Sequence, residues 1–532
     1  MAGHYSRRTI MASAASLAGA AVLPEAARGV LDPGAGAIAH ILPTVSHDRM
    51  RLKLSLRAPA AAPPVLKVDG RPLAGLPGGT RGRHWRFDAR GLDPARRYTL
   101  SLSDAGGRPL TDDWHLSTFP APEAEPERPR LLVFTCAGGM DDMTDYFLPI
   151  ATRRRLLARA LSFAPDAVVA IGDHIYADQR RIGVLTNPEE AERNAAYWER
   201  YGQFDRSLPV LGTPNEALLT TIADIQIAAL YGDLLRSLPV FFVTDDHDWF
   251  ENDEASHRLI TFPPDWFSLQ LGRSVQHLYY PEFLPDPARP KGLPGRSNTA
   301  AEPDLSESYG TLRYGRLLET LIYDCRRFMT LKGPTGVFVD TEAEAWLLAR
   351  TAAEDQTRHL IHLPSTPFGW TAGKWGEWYP DVLQPDGSMG TTVPKDYWQP
   401  GWFAQHQRLV GAIGAQRTRA PVSLSGDLHA VGATEITRSG ASHFGRPVHS
   451  ILTGPLGTAT GAFPSAFRGT PPRVPQSLDT RPSLDFLEKN GFTLVDVTPD
   501  RIAVRLFAWR PPDPLEAIDT LEPVHAFEIP RG

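Results

Sequence analysis

Four short apolar runs in this chain each end in side chains able to bind a metal. Leu131–Thr135 runs into Cys136, and Ala167–Ile171 into Gly172-Asp173-His174-Ile175-Tyr176. Val240–Thr244 runs into Asp245-Asp246-His247-Asp248, and Val422–Ser425 into Gly426-Asp427-Leu428-His429. Runs of this length, with helical stretches between them (Ala151–Phe163, Leu218–Leu238, Glu342–Ala353, Trp402–Gln416), predict buried strands of a layered α/β domain. In such folds the functional crevice lies beyond the carboxyl ends of the strands, which is where these groups fall. Taken singly, each has a structural reading: a helix N-cap for an aspartate, a core tyrosine, a hydrogen-bonded histidine, a buried thiol. One site built from four strand ends accounts for all of them together.

The donors are of two kinds. Cys136, Tyr176 and His429 offer sulfur, phenolate and imidazole, a set suited to a transition metal, with ferric iron favoured by the two anionic donors. Asp246 and Asp427 offer only oxygen, which suits Ca²⁺, Mn²⁺ or Mg²⁺. Asp173, on the short glycine turn, is the expected bridge, and His247, beside a ligand, is the expected acid or charge stabiliser facing substrate. Two cations held about 3.5–4 Å apart clamp a phosphoryl group and acidify water, so the expected chemistry is hydrolytic.

The rest of the chain sets the context. At 532 residues two domains are expected. Residues 37–119 contain short strand-like stretches, among them the alternating Met50–Leu56, and predict a small β-sandwich. Residues 120–129, rich in Pro, Ala and Glu, predict a linker, and 130–530 form the α/β domain. Arg7-Arg8 followed by an apolar stretch from Ile10 to Leu23, too short for the roughly 20 residues of a membrane span, predicts a twin-arginine export signal within residues 1–30. The Tat translocase would then be a partner, and the destination periplasmic or extracellular. Cys136 and Cys325 are expected to stay unpaired, the first as a metal thiolate and the second as a packed thiol. A net charge of -6 leaves no basic footprint for nucleic acid, and no later segment reads as a transmembrane span.

Several stretches resemble the PhoD-like alkaline phosphatases, within the calcineurin-like metallophosphoesterase superfamily. They are Phe134-Thr135-Cys136, Gly172-Asp173-His174-Ile175-Tyr176, Asp245-Asp246-His247-Asp248 with Asn252, Asp324-Cys325-Arg326, Asp396-Tyr397-Trp398 and Ser425-Gly426-Asp427-Leu428-His429. The resemblance implies a four-layer α-β-β-α metallophosphoesterase domain with two central sheets, phosphate mono- or diester hydrolysis, and iron with calcium nearby. It implies that Cys136, Asp173, Tyr176 and His429 hold iron, and that Asp173, Asp246 and Asp427 hold calcium. Asn252 would serve a second calcium or orientation, and His247 would sit over the phosphate. Arg326 would be a phosphate contact or a structural ion-pair partner. Ala177, Asp178 and Asp248 depart from the family's usual pattern, and Asn252–Pro285 follows no pattern we can place. A phospholipase-D-like diesterase and a non-catalytic secreted binding protein are the alternatives. The filled set of metal-binding positions counts against the latter.

Overall fold

The computed structural model describes residues 36–177, 179, 188–249, 263–295, 304–372, 379–395 and 398–532. The stretch expected to be an export signal, Asp178, Asn252, Asp396 and Tyr397 lie outside them.

Between Ile38 and Ser117 the chain makes two antiparallel four-stranded sheets. Ile38–Val45, Arg49–Leu56, His84–Arg90 and Leu76–Pro77 form one; Arg71–Ala74, Val65–Val68, Arg97–Ser103 and Trp114–Ser117 form the other. Met50, Leu52, Leu54 and Phe87 from the first share a core with Leu66, Leu100, Leu102 and Leu116 from the second. The alternation in Met50–Leu56 predicts a strand with a wet polar face, and here the structure differs. Arg51 and Lys53 are fully buried, because this face packs on the larger part of the chain. Arg51 Nε donates to Glu282 Oε2 (2.9 Å), while Lys53 Nζ donates to Glu282 Oε1 and the Gln276 carbonyl (both 2.7 Å). Burial of cations is tolerable only with such partners.

Beyond residue 130 two larger sheets form. The six-stranded one runs Val240–Val243, Ala167–Ile171, Arg130–Thr135, Asn490–Thr498, Arg501–Trp509, Pro523–Pro530, its first three strands parallel. The seven-stranded one runs Tyr309–Tyr314, Leu318–Tyr323, His359–Pro364, Val422–Ser425, Ser442–Thr453, Val431–Ser439, Leu478–Leu487. Alternate residues of each strand enter different cores. Leu131, Val133, Val169 and Ile171 share one with Ile361, Leu363, Val422 and Leu424 of the other sheet. Leu132, Phe134, Val168 and Ala170 face Leu156, Leu157 and Ala160 of the helix Ile150–Leu161. On the far side, Leu321, Tyr323 and Leu360 face Leu347 of the helix Thr341–Ala352 and Leu409 and Ile413 of the helix Pro400–Gly414. Strands covered on both faces read as unbroken apolar runs, which is why the sequence reveals them.

Three expectations need correction. The stretch Pro471–Pro482, whose prolines predict a loop, is in part the strand Leu478–Leu487, which tolerates Pro482 because it lies at the sheet edge beside an irregularity in pairing. The Leu218–Leu238 helix is instead Pro214–Ala223, a π-helical turn Asp224–Ala228, and Ala229–Tyr231 closed by Gly232 at φ +50°. The unplaced Asn252–Pro285 stretch contains the helix Trp266–Tyr279, capped by Asp265 Oδ1 accepting from Ser268 N at 2.8 Å. No helix among the described residues is long and apolar enough to cross a membrane.

Candidate metal centre

Thr135, Ile171 and Val243 are aligned across three parallel strands, so the loops after them leave from one edge of the sheet. The loop after Ser425 reaches the same place from the other sheet, with Asp427 N donating to Thr135 Oγ1 at 3.4 Å. The approach is tight. A side chain on Gly172 would collide with Asp245, and one on Gly426 with Thr135. Each chain reversal is abrupt: Cys136 (φ +46°), Asp173 (+56°), Asp427 (+70°) and His429 (+46°) all sit in the left-handed region. Non-glycine residues held there cost on the order of 1–3 kcal/mol each, a strain that concentrates at functional sites.

The side chains so placed converge. Cys136 Sγ lies 3.1 Å and Tyr176 Oη 2.9 Å from the same oxygen, Asp173 Oδ2. Ligand atoms of Cys136, Asp173 and His429 lie within 4.8 Å of one another, as do those of Asp173, Asp246 and His247, and those of Asp245, Asp246 and Asp427. Asp173 belongs to the first two groups and Asp246 to the last two, so the three groups are continuous. His429 Nδ1 is 2.7 Å from the Ala462 carbonyl, which places its proton on that nitrogen and leaves Nε2 as the ligand atom. The His247 ring packs on Tyr176 (centroids 4.1 Å apart) and is half-buried, whereas Cys136, Asp173, Tyr176, Asp246 and Asp427 are buried.

Electrostatics fit this pocket to cations. Burial, and next the charge of Asp246, push the Asp173 carboxyl well above the usual carboxylate range. Burial, and next Asp173, push the Cys136 thiol and the Tyr176 phenol well above theirs. Asp245 is raised by burial despite Arg326, and its Oδ2 is buried with no hydrogen-bond partner among the described residues. Four buried aspartates beside a thiol and a phenol are poorly stable as anions without positive charge among them. A sulfur, phenol and imidazole set beside an all-oxygen set gives that charge two chemically different seats.

Arg326 is 1% exposed and lies between two acids, donating from Nε to Asp245 Oδ1 and from a terminal nitrogen to Asp427 Oδ2 (both 3.0 Å). Burial opposes its charge, but Asp245 and Asp427 outweigh it and hold the guanidinium well above its ordinary pKa. Of the two roles expected for Arg326, these contacts favour ion pairing. Asp245 itself was not among the expected site residues; the only signal for it is the doubled aspartate before His247. Asp248 turns inward and accepts from Asp173 N (2.8 Å), His174 N (3.0 Å) and Asp245 N (2.9 Å), clamping two of these loops together. Asp324 accepts from Trp249 Nε1 (2.7 Å), the Thr244 hydroxyl and the Arg326 and Arg327 amides (2.6 and 2.9 Å). Cys136 and Cys325 are both free and buried.

Residues 152–506 match the family described as PhoD-like phosphatase, a match that begins after Cys136. No curated protein matches in sequence. The solved structure of PhoD superimposes with a TM-score of 0.57 at 14% identity, covering 94% of this chain and 91% of that one, a likeness of fold alone. A type III pullulan hydrolase from Thermococcus kodakarensis overlaps 75% of this chain and 61% of its own at 11% identity, but its TM-score of 0.13 carries no argument.

Proposed function

Because this chain belongs to the PhoD-like phosphatase family, a family of phosphoesterases, we propose that it is a metal-dependent enzyme, exported from the cytoplasm, that hydrolyses phosphate mono- and diesters. The observation that carries this reading is the approach of Cys136 and Tyr176 to one oxygen of Asp173, with His429 and the acid pair Asp246 and Asp427 alongside. Cys136, Asp173, Tyr176 and His429 would hold ferric iron. Asp173, Asp246 and Asp427 would hold calcium, with Mn²⁺ or Mg²⁺ as alternatives. Such a pair would supply Lewis acidity to the phosphoryl group and would lower the pKa of water.

The chain's own residues do the remainder. Asp173 faces both donor sets and fixes their separation. His247, held against Tyr176 and half-exposed, presents an imidazole to a phosphoryl oxygen or to the leaving group. Arg326 bridges Asp245 and Asp427 and offsets their mutual repulsion. In this reading the six- and seven-stranded sheets are the two inner layers of a four-layer α-β-β-α domain, and the N-terminal pair of sheets is a β-sandwich docked on it. Export rests on Arg7-Arg8 and the apolar stretch after them, and makes the site periplasmic or extracellular.

Assays of nitrophenyl phosphate, bis-nitrophenyl phosphate and a phospholipid on one metal-analysed preparation test the proposal. Turnover of either nitrophenyl ester supports it, and turnover of the phospholipid in preference moves the substrate to lipid headgroups. Activity on none of the three, with metal bound, refutes it. Asp173→Ala is expected to lower kcat by more than about 100-fold, beyond the loss that an outer partner of a ligand causes.

A further inference from the structure

A fully buried amide side chain outside the ligand set holds two of the metal-binding loops. Gln226 is 0% exposed and uses its whole hydrogen-bonding capacity on them. Its Oε1 accepts from Gly139 N (2.7 Å) and Tyr176 N (2.8 Å). Its Nε2 donates to the Tyr176 carbonyl (2.8 Å) and lies 3.2 Å from Met140 Sδ. Both backbone polar groups of Tyr176 are therefore tied to one side chain, and the same side chain ties down the loop that begins at Cys136.

Gln226 is placed by the π-helical turn Asp224–Ala228. One extra residue in a turn rotates everything after it by about 100° relative to a continuous α-helix, and such turns occur mostly at functional sites. The turn is fastened from the other side by the N-terminal sheets. Arg83 donates to Asp224 Oδ2 at 2.7 Å, and Ile41 N donates to the Gly232 carbonyl at 2.8 Å. Tyr279, from the helix that packs under those sheets, donates to Asp224 Oδ1 at 2.8 Å.

We infer that Gln226 is a positioning residue for the metal centre: through the π-helical turn, it fixes where Tyr176 and the Cys136 loop present their ligand atoms. The inference rests on the phosphoesterase reading above and adds to it a residue beyond the ligand set. It also gives the N-terminal sheets a task, as the anchor of the turn that carries Gln226.

A matched control exists in the same chain. Gln405, 2% exposed, also makes four hydrogen bonds, to Phe338 N (2.7 Å), Val339 N (3.3 Å), the Val339 carbonyl (2.6 Å) and Glu344 (2.8 Å). It belongs to the helix Pro400–Gly414, on the opposite flank of the seven-stranded sheet. Gln226→Leu and Gln405→Leu should lower Tm comparably. Only Gln226→Leu should speed loss of metal to a chelator, followed by elemental analysis, and lower kcat, each by about 10- to 100-fold. Equal effects of the two substitutions on metal loss and kcat, or wild-type metal retention in Gln226→Leu, would overturn the inference. Should Gln226→Leu fail to fold, Gln226→Glu retains the bonds from the two amides and loses the donated pair. Faster metal loss from that variant supports the role, and a wild-type rate refutes it. A wild type that hydrolyses none of the three esters with metal bound would sink the phosphoesterase reading instead.

Discussion

Arg326 separates charge pairing from substrate binding at the scale of one residue. Arg326→Met leaves Asp245 and Asp427 without the cation between them, and breaking a buried pair from one side costs about 3–5 kcal/mol. The urea midpoint of the metal-free protein should fall accordingly. KM for nitrophenyl phosphate should hold within about twofold if the side chain binds no substrate; a large rise in KM with unchanged stability would reverse that assignment. Tyr176→Phe carries the second prediction. With ferric iron bound, the wild type should absorb in the visible through its phenolate, and the variant should lose that phenolate band at unchanged circular dichroism. A colourless wild type without iron points to another metal. The candidate donors were legible in the sequence because each is a distinctive chemical type at the end of an apolar run. Asp245 was not, since nothing in Asp-Asp-His-Asp tells which carboxylate turns toward the pocket and which, like Asp248, turns back to hold the loops.

The loops, as elements, are held by buried carboxylates rather than by long pairing. Asp248→Ala would strand the amides of Asp173, His174 and Asp245. Each buried donor left unpaired costs about 1–3 kcal/mol, so thermal unfolding should show a loss of several kcal/mol, and a Tm within a degree or two of wild type would show that the clamp carries little. Parallel strands were legible because both faces are covered and their runs are continuous. The helix Trp266–Tyr279 was not. Its interior Gly272 argues against a helix by propensity, yet a side chain there would meet the Trp249 ring and the Asp248 carbonyl at 2.6–2.7 Å. Tertiary approach to the loop that follows Val243 decides that residue. The π-helical turn was equally hidden, because its apolar pattern continues that of the helix before it.

Across the whole molecule, the contact between the N-terminal sheets and the α/β part is polar and buried, and it is expected to weaken in acid. Burial above all lowers the histidines there: His40 to about 4, His84 to about 3 and His277 to about 4. The unfolded chain therefore takes up protons that the folded one resists as pH falls below 6.5, and stability drops toward pH 4. Burial opposes the charge of Glu282, but Lys53 and Arg51 outweigh it and hold its carboxyl at about 2, so its contribution, complete above pH 4.5, is lost on further acidification. Tm should fall steadily from pH 7 to pH 4, and His84→Leu should flatten that slope; an unchanged slope would place the sensitivity elsewhere. An alternating strand alone could not reveal this contact, because the burial of Arg51 and Lys53 depends on a glutamate more than two hundred residues away. Everything functional in this account depends on one pocket holding two cations, and anomalous diffraction from crystals of protein loaded with its native metals tests that most directly. Two peaks about 3.5–4 Å apart are expected, one among Cys136, Tyr176 and His429 and the other beside Asp246 and Asp427, with Asp173 between them. A pocket without anomalous signal, while metal is bound elsewhere on the protein, would contradict it.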